Sequence, residues 1–267
     1  MDIDIAECLR RGAVGAAGAV PGTLAAHPFD VVKMRQQVSG SPLAATARGL
    51  TLPSLYGGVS AGVAQKVATR GPMFLASEFF TQSVERHIGL ARDRALFVGS
   101  AMSGYVTGFV AAGFEWVKVR GGVGVAMPSS TSKSASISWS RRLAVHHGAG
   151  IRNGIFDATF FGCEHAARHH GGLPPAVSYG AAAALAVALD YPVDAVVKRS
   201  MAAPPSEPAR WPLHETFRSL RTRGLGVFAG LGAKACEFFI SYAVTGACST
   251  HVTRLLTPTP SSSRGCT

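Results

Sequence analysis

Charge is what this sequence has least of. Only 15% of its 267 residues are Asp, Glu, Lys or Arg, against about a quarter in an ordinary soluble domain. Acids are scarcer than bases, 15 against 26, which leaves a net charge of +11. Such a surplus suits an anionic partner. The bases are spread along the chain, however, without the clustering or the zinc-finger and RNA-binding signatures that point to nucleic acid, so no nucleic-acid role is expected. Cysteine is sparse too. Cys8, Cys163, Cys236, Cys248 and Cys266 are odd in number and form no CxxC pair, which argues against a disulfide framework and a cysteine-ligated zinc site. The N-terminal stretch MDIDIAECLRRG opens with acids, unlike a secretory signal or an Arg-rich transit peptide. Any organelle address is therefore expected inside the mature fold.

What the chain has instead is small apolar residues, with 31 glycines and a mean hydropathy of +0.22. They gather in runs, and the runs repeat. GAVGAAGAVPGTLAA leads into HPFDVVKMR, FVGSAMSGYVTGFVAAG into AGFEWVKVR, and AVSYGAAAALAVALDY into DYPVDAVVKR. The acids of these motifs, Asp30, Glu115 and Asp194, are 85 and 79 residues apart. Between the motifs lie three further helix-length stretches, 54–80, 145–168 and 226–252, each with polar or charged residues midway. All are long enough to cross a bilayer, which takes about 20 residues. The glycine spacings Gly15, Gly18, Gly22 and Gly104, Gly108 suit close helix packing in lipid. The expected fold is all-α, with six transmembrane helices as three pseudo-symmetric two-helix repeats over residues 8–90, 91–172 and 173–257. Ser/Pro-rich loops at 35–53, 121–142 and 201–223 separate the two helices of each repeat, with room for short surface helices. Residues 258–267 read as a disordered tail. The competing reading is a soluble helical protein with a Gly/Ala-rich core, disfavoured because glycine weakens helices in water.

The pattern resembles the mitochondrial carrier family, whose hallmark is P-x-[DE]-x-x-[KR]-x-[KR], three times per chain. Pro28, Asp30, Lys33 and Arg35 match it in full. In the second repeat Gly113 stands in the proline's place while Glu115, Lys118 and Arg120 match. In the third, Pro192 and Asp194 match, but Val197 occupies the basic position and Lys198 follows one residue late. The resemblance spans residues 10–255. It implies a single carrier domain, monomeric, multi-pass in the mitochondrial inner membrane, with a peroxisomal membrane as the lesser alternative. It implies a transporter rather than an enzyme, with no cofactor. Pro28 and Pro192 would kink their helices. Asp30, Lys33, Glu115, Lys118, Asp194 and Lys198 would form a matrix gate of acid–base pairs between neighbouring repeats. A base restored at position 197 would then tighten that gate and slow exchange.

On the other side the family's aromatic-acid-x-x-base pattern is degraded. Glu78 has Thr81 where a base would stand, and Glu164 has Ala167, with Arg168 one place on. A weak cytosolic gate that opens easily is expected. The resemblance places substrate contacts midway down the second helix of each repeat, at Gln65 and Lys66, Arg152 and Asn153, and Glu237 with Phe238. Ionisable residues inside a span are functional candidates in their own right. Arg152 suits a carboxylate and Glu237 a cation, with Asp157 pairing to Lys66 or Arg70. The expected substrate is a small charged metabolite. S-adenosylmethionine or an amino-acid-like zwitterion leads, because LYGGVSAG and GLGVFAGL are similar to segments of S-adenosylmethionine carriers. A carnitine-like or anionic metabolite is an alternative, and so is a non-transporting membrane receptor or adaptor. Arg141, Arg142, Arg218, Arg221 and Arg223 stand where they could meet anionic headgroups such as cardiolipin. His165, His169 and His170 have metal-compatible spacing, though a hydrated helix end is the preferred reading, as it is for His146 and His147. No metal site is expected.

Overall fold

The computed structural model describes residues 3–39, 51–56, 59–122, 139–202, 211–224, 228 and 230–256. Among them the regular structure is helical, with no strand. Six helices are long: α1 (Ile5–Ser39), α3 (Val59–Ile88), α4 (Arg92–Gly122), α5 (Trp139–His169), α6 (Pro175–Ala202) and α8 (Leu231–Leu256). Two are short, α2 (Leu52–Leu55) and α7 (Pro212–Arg223). They lie between the long helices of the first and third repeats, where surface helices were expected. The corresponding stretch of the second repeat lies outside the described residues, as do the C-terminal tail and the side chains of Lys33 and Lys118.

The long helices pack in chain order, α1 on α3, α3 on α4, α4 on α5, α5 on α6 and α6 on α8, and α8 returns to α1. The six therefore close a ring. The shortest has 26 residues and the longest 35, lengths of about 39 and 52 Å at 1.5 Å per residue. Both exceed the hydrocarbon thickness of a bilayer, about 30 Å. Two segments, Arg92–Gly113 and Pro175–Met201, are also apolar enough on their own to cross a membrane. The all-α expectation is met; of the six long helices, two contain a segment apolar enough to cross a membrane.

Glycine permits the ring's closest approaches. A methyl group at Gly22 of α1 would run into the Ser241 carbonyl oxygen of α8, and one at Gly104 of α4 into the Asn153 carbonyl of α5. The prolines behave as interior helix residues. Helix α1 continues through Pro21 and Pro28, α3 through Pro72 and α6 through Pro192.

Several charged residues lie inside the ring and several large apolar ones outside it. Arg70, Glu78, Arg152, Asp157, Asp190, Asp194, Lys234 and Glu237 are all buried. Phe97, Met102, Val106 and Val110 of α4, and Val177, Leu185 and Leu189 of α6, are exposed. These outward residues recur every four or five positions along α4 and at intervals of four and eight along α6. They form apolar stripes on the outside of the ring, while Asp190 and Asp194 of α6 turn inward and Glu115 of α4 reaches the buried Arg152.

Two apolar clusters fill part of the interior. One is aromatic, with Phe74 against Phe161 at 5.0 Å between ring centres, Phe160 against Tyr179 at 5.5 Å and Phe160 against Tyr242 at 4.7 Å. The other packs Ala112 and Trp116 of α4 with Val145 and Ala149 of α5 and Val193, Val197 and Met201 of α6.

Candidate functional site

Arg152 is the centre of the buried charge. Its guanidinium donates from Nη1 and Nη2 to the two oxygens of Glu115 at 2.7 and 2.8 Å, and from Nη1 to Asp194 Oδ1 at 3.0 Å. The neighbouring Asn153 amide oxygen accepts from Nε at 3.0 Å and Nη2 at 2.8 Å. Asp194 is shared further. Its Oδ2 accepts from Lys198 at 2.9 Å and from Lys234 at 2.8 Å, and Lys234 also stands 3.5 Å from Asp190 Oδ1. Phe238, one turn along α8 from Lys234, has that ammonium 5.5 Å from its ring centre and Lys66 of α3 at 5.1 Å. One chain of contacts thus runs from Lys66 through Phe238, Lys234 and Asp194 to Arg152 and Glu115. It joins α3, α8, α6, α5 and α4.

This network brings together residues that the sequence assigns to two separate layers. Lys66, Arg152, Asn153 and Phe238 were expected to touch substrate, and Glu115, Asp194 and Lys198 to form the matrix gate. Here Arg152 is bonded to the gate acids. Lys198 donates to Asp194 of its own helix, one turn back. Gln65 is half-buried beside Lys66, Glu237 is buried beside Phe238, and Asp30 is half-buried on α1. Val197, in the family's basic position, is fully buried in the apolar cluster. Two members of the network escaped sequence reasoning. Lys234 sits three residues before Glu237 and Asp190 four before Asp194. An ionisable residue within a long apolar helix was the available signal for both.

A second polar knot ties α1, α3 and α8. Arg70 donates to Thr245 Oγ1 at 2.8 Å and Ser241 Oγ at 2.6 Å, and its guanidinium carbon lies 4.1 Å from the Tyr242 ring centre. Thr245 in turn donates to the Gly18 carbonyl at 3.0 Å. Arg70 is therefore occupied, and the expected pairing of Asp157 with Arg70 or Lys66 is not formed. Asp157 Oδ2 is buried and has no hydrogen-bond partner among the described residues.

The end of the ring that holds the described N-terminal residues carries more bonding than the degraded motifs suggest. Glu78 is buried and accepts both oxygens' worth of hydrogen bonds from Arg92 Nη2, each at 2.8 Å, plus Gln82 at 2.9 Å. Arg92 also reaches Glu85 at 3.0 Å, and Arg11 of α1 comes within 3.8 Å of Glu78. The base for Glu78 thus comes from the neighbouring helix instead of position 81, where Thr81 donates to its own helix at Ser77. Glu164 pairs with Arg168 at 3.1 Å.

The remaining polar candidates serve helix ends and helix contacts. His165 bonds Asp93 at 2.9 Å, tying the end of α5 to the start of α4, and its ring lies tilted against that of His169 at 4.2 Å. Among the described residues no group of His, Cys, Asp and Glu has a metal-binding arrangement. His146 bonds the Phe109 carbonyl at 2.7 Å and His147 bonds the Tyr105 hydroxyl, both across the α4–α5 contact. Arg141 is buried, donating to the Ser200 carbonyl at 2.7 Å, so it is withdrawn from any headgroup role. Arg142 and Arg218 are exposed.

No protein-family model matches this chain, and neither does any curated protein.

Proposed function

We propose that this protein is a six-span membrane carrier that moves a small charged metabolite by alternating access. The observation that carries the reading is where the charged and the apolar side chains lie. Apolar side chains face outward from a closed ring of membrane-length helices, and acids and bases face each other inside it. In lipid the outer stripes need no covering, and ionisable residues belong where they pair or line a path. In water the same surface would be a large apolar liability.

The resemblance of the three repeat motifs to mitochondrial carriers supports the mitochondrial inner membrane as location and the bilayer as partner. Arg152 at the centre, with acids around it, supports a substrate bearing both signs of charge. S-adenosylmethionine or an amino-acid-like zwitterion fits that description. An exchangeable network suits a gate, because buried ion pairs gain little net stability over their desolvation and can be traded for substrate contacts.

The test has two parts. The chain should stay with membranes after alkaline carbonate extraction, and the purified protein in liposomes should exchange at least one of S-adenosylmethionine, amino acids, carnitine, nucleotides or keto acids. Release into the carbonate supernatant would overturn the membrane reading. Firm insertion without exchange of any solute would overturn transport and favour a receptor or adaptor.

A further inference from the structure

Asp157 stands apart from the other buried acids. It is 2% exposed, and its Oδ2 has no hydrogen-bond partner. Glu115 and Asp194 are held by Arg152; Asp190 Oδ1 likewise has no hydrogen-bond partner, but the Lys234 ammonium stands within ion-pair range of it at 3.5 Å, whereas no described base stands so close to Asp157. Among the described residues Arg152 and Lys234 are committed to those acids, Arg70 to Ser241 and Thr245, and Lys66 stands over the Phe238 ring. Asp157 is nevertheless central. It lies within electrostatic range of Arg152, Asp190 and Tyr242. Its chain neighbour Phe156 packs against Phe238 at 5.5 Å and Tyr242 at 5.8 Å, and those two rings stack at 5.9 Å.

A carboxyl group buried without a donor is costly, and an apolar or amide side chain would fill the same space at less cost. The arrangement makes sense if the partner is not resident. Aromatic faces beside a carboxylate form a recurrent receptor for organic cations. We infer that Asp157 receives a positively charged group of the transported molecule, an ammonium or sulfonium, in this aromatic-rich part of the ring's interior. This inference rests on the carrier reading and narrows its substrate class. Arg152 lies five residues away on the same helix, about 7.5 Å along its axis. A substrate carboxylate exchanged onto Arg152 would therefore be matched by a cation at the far end of the molecule. An α-ammonium lies too close to its own carboxylate to bridge that separation.

Matched solutes that differ by one positive charge provide the test: S-adenosylmethionine against S-adenosylhomocysteine, and lysine against norleucine. The full chain is assayed by thermal shift in detergent and by exchange in liposomes. In the native protein the charged member of a pair should shift melting at lower concentration and exchange about tenfold better, the size of one charge-assisted hydrogen bond. Asp157→Asn should bring the charged member down to the level of its neutral partner, and Asp157→Glu should restore part of the difference. A charge preference that survives Asp157→Asn overturns the cation site, whatever the transport result. A preference in thermal shift that disappears in Asp157→Asn, without exchange by the native protein, upholds the site and overturns transport. No response to any of the four probes overturns the inference, while exchange of another solute would leave the carrier reading standing.

Discussion

Arg152 of α5 grips Glu115 of α4 through two parallel hydrogen bonds, 2.7 and 2.8 Å long, and the same guanidinium reaches Asp194 of α6 at 3.0 Å. One side chain fastens three helices at the centre of the ring. Truncation to alanine would take from Glu115 the guanidinium that grips it, and leave Asp194 to Lys198 and Lys234 alone. Removing one partner of a buried pair typically costs about 3–5 kcal/mol. Arg152→Ala should therefore insert but lose liposome exchange and melt well below the native protein. Arg152→Lys keeps the charge but cannot form the fork, and should fall between the two. Exchange at the native rate by Arg152→Ala would remove Arg152 from the working site.

At the other end Glu78 is bound by Arg92 across the α3–α4 connection, with Arg11 of α1 close by. In the proposed carrier a seal of this kind would slow opening on its side. Glu78→Gln and Arg92→Ala should each speed exchange, and the double variant should do no more than either single one. The coupling should be about 1 kcal/mol, since contacting residues in one network are seldom additive and Arg92 is partly exposed. Additive effects of the two substitutions on exchange would show that the pair does not act as a gate.

Helix number and order could be read from the chain because they follow from composition and period. Each small-residue run ends in an acid and a base, with a proline before them in the first and third repeats, and each repeat has the length of two spans. Partner choice could not, because it depends on which faces meet. Thr81 occupies the gate position beside Glu78 by spacing, yet the base is delivered by Arg92, fourteen residues on and across a turn. Lys234 stands in an apolar stretch with nothing local to show that it reaches Asp194 on another helix. Arg141 looks like a boundary base in the sequence but turns inward to the end of α6.

Val197 illustrates the same difference in a testable way. By spacing it occupies a gate base's position, so a base there would be expected to tighten the gate. In the structure Val197 is fully buried, packed with Ala112, Trp116, Val145 and Met201. A lysine would carry its ammonium into that apolar cluster. Val197→Lys should lower the melting temperature and the yield of inserted protein instead of slowing exchange, and Val197→Ile should be close to neutral. Native melting with slowed exchange in Val197→Lys would show that residue 197 can face the axis after all.

The outer surface separates a membrane carrier from a soluble bundle most directly. Val110 on α4 is 67% exposed and Leu189 on α6 is 55% exposed, each within one of the two segments apolar enough to cross a membrane. If lipid covers these positions, Arg is costly there, about 2.5–3.5 kcal/mol for a residue near the middle of a span, less for one close enough to the interface to snorkel. Val110→Arg and Leu189→Arg should each reduce membrane insertion, and together they should nearly abolish it. Leu255, 85% exposed at the end of α8, lies where an arginine can reach water, and Leu255→Arg serves as the control that should insert normally. If water covered the ring, all three substitutions would be surface changes worth within about 0.5 kcal/mol, and the arginines on α4 and α6 would improve solubility. Carbonate-resistant membrane fractions of the three variants, quantified side by side, distinguish these outcomes, and equal recovery of all three would mean that the apolar stripes do not face lipid.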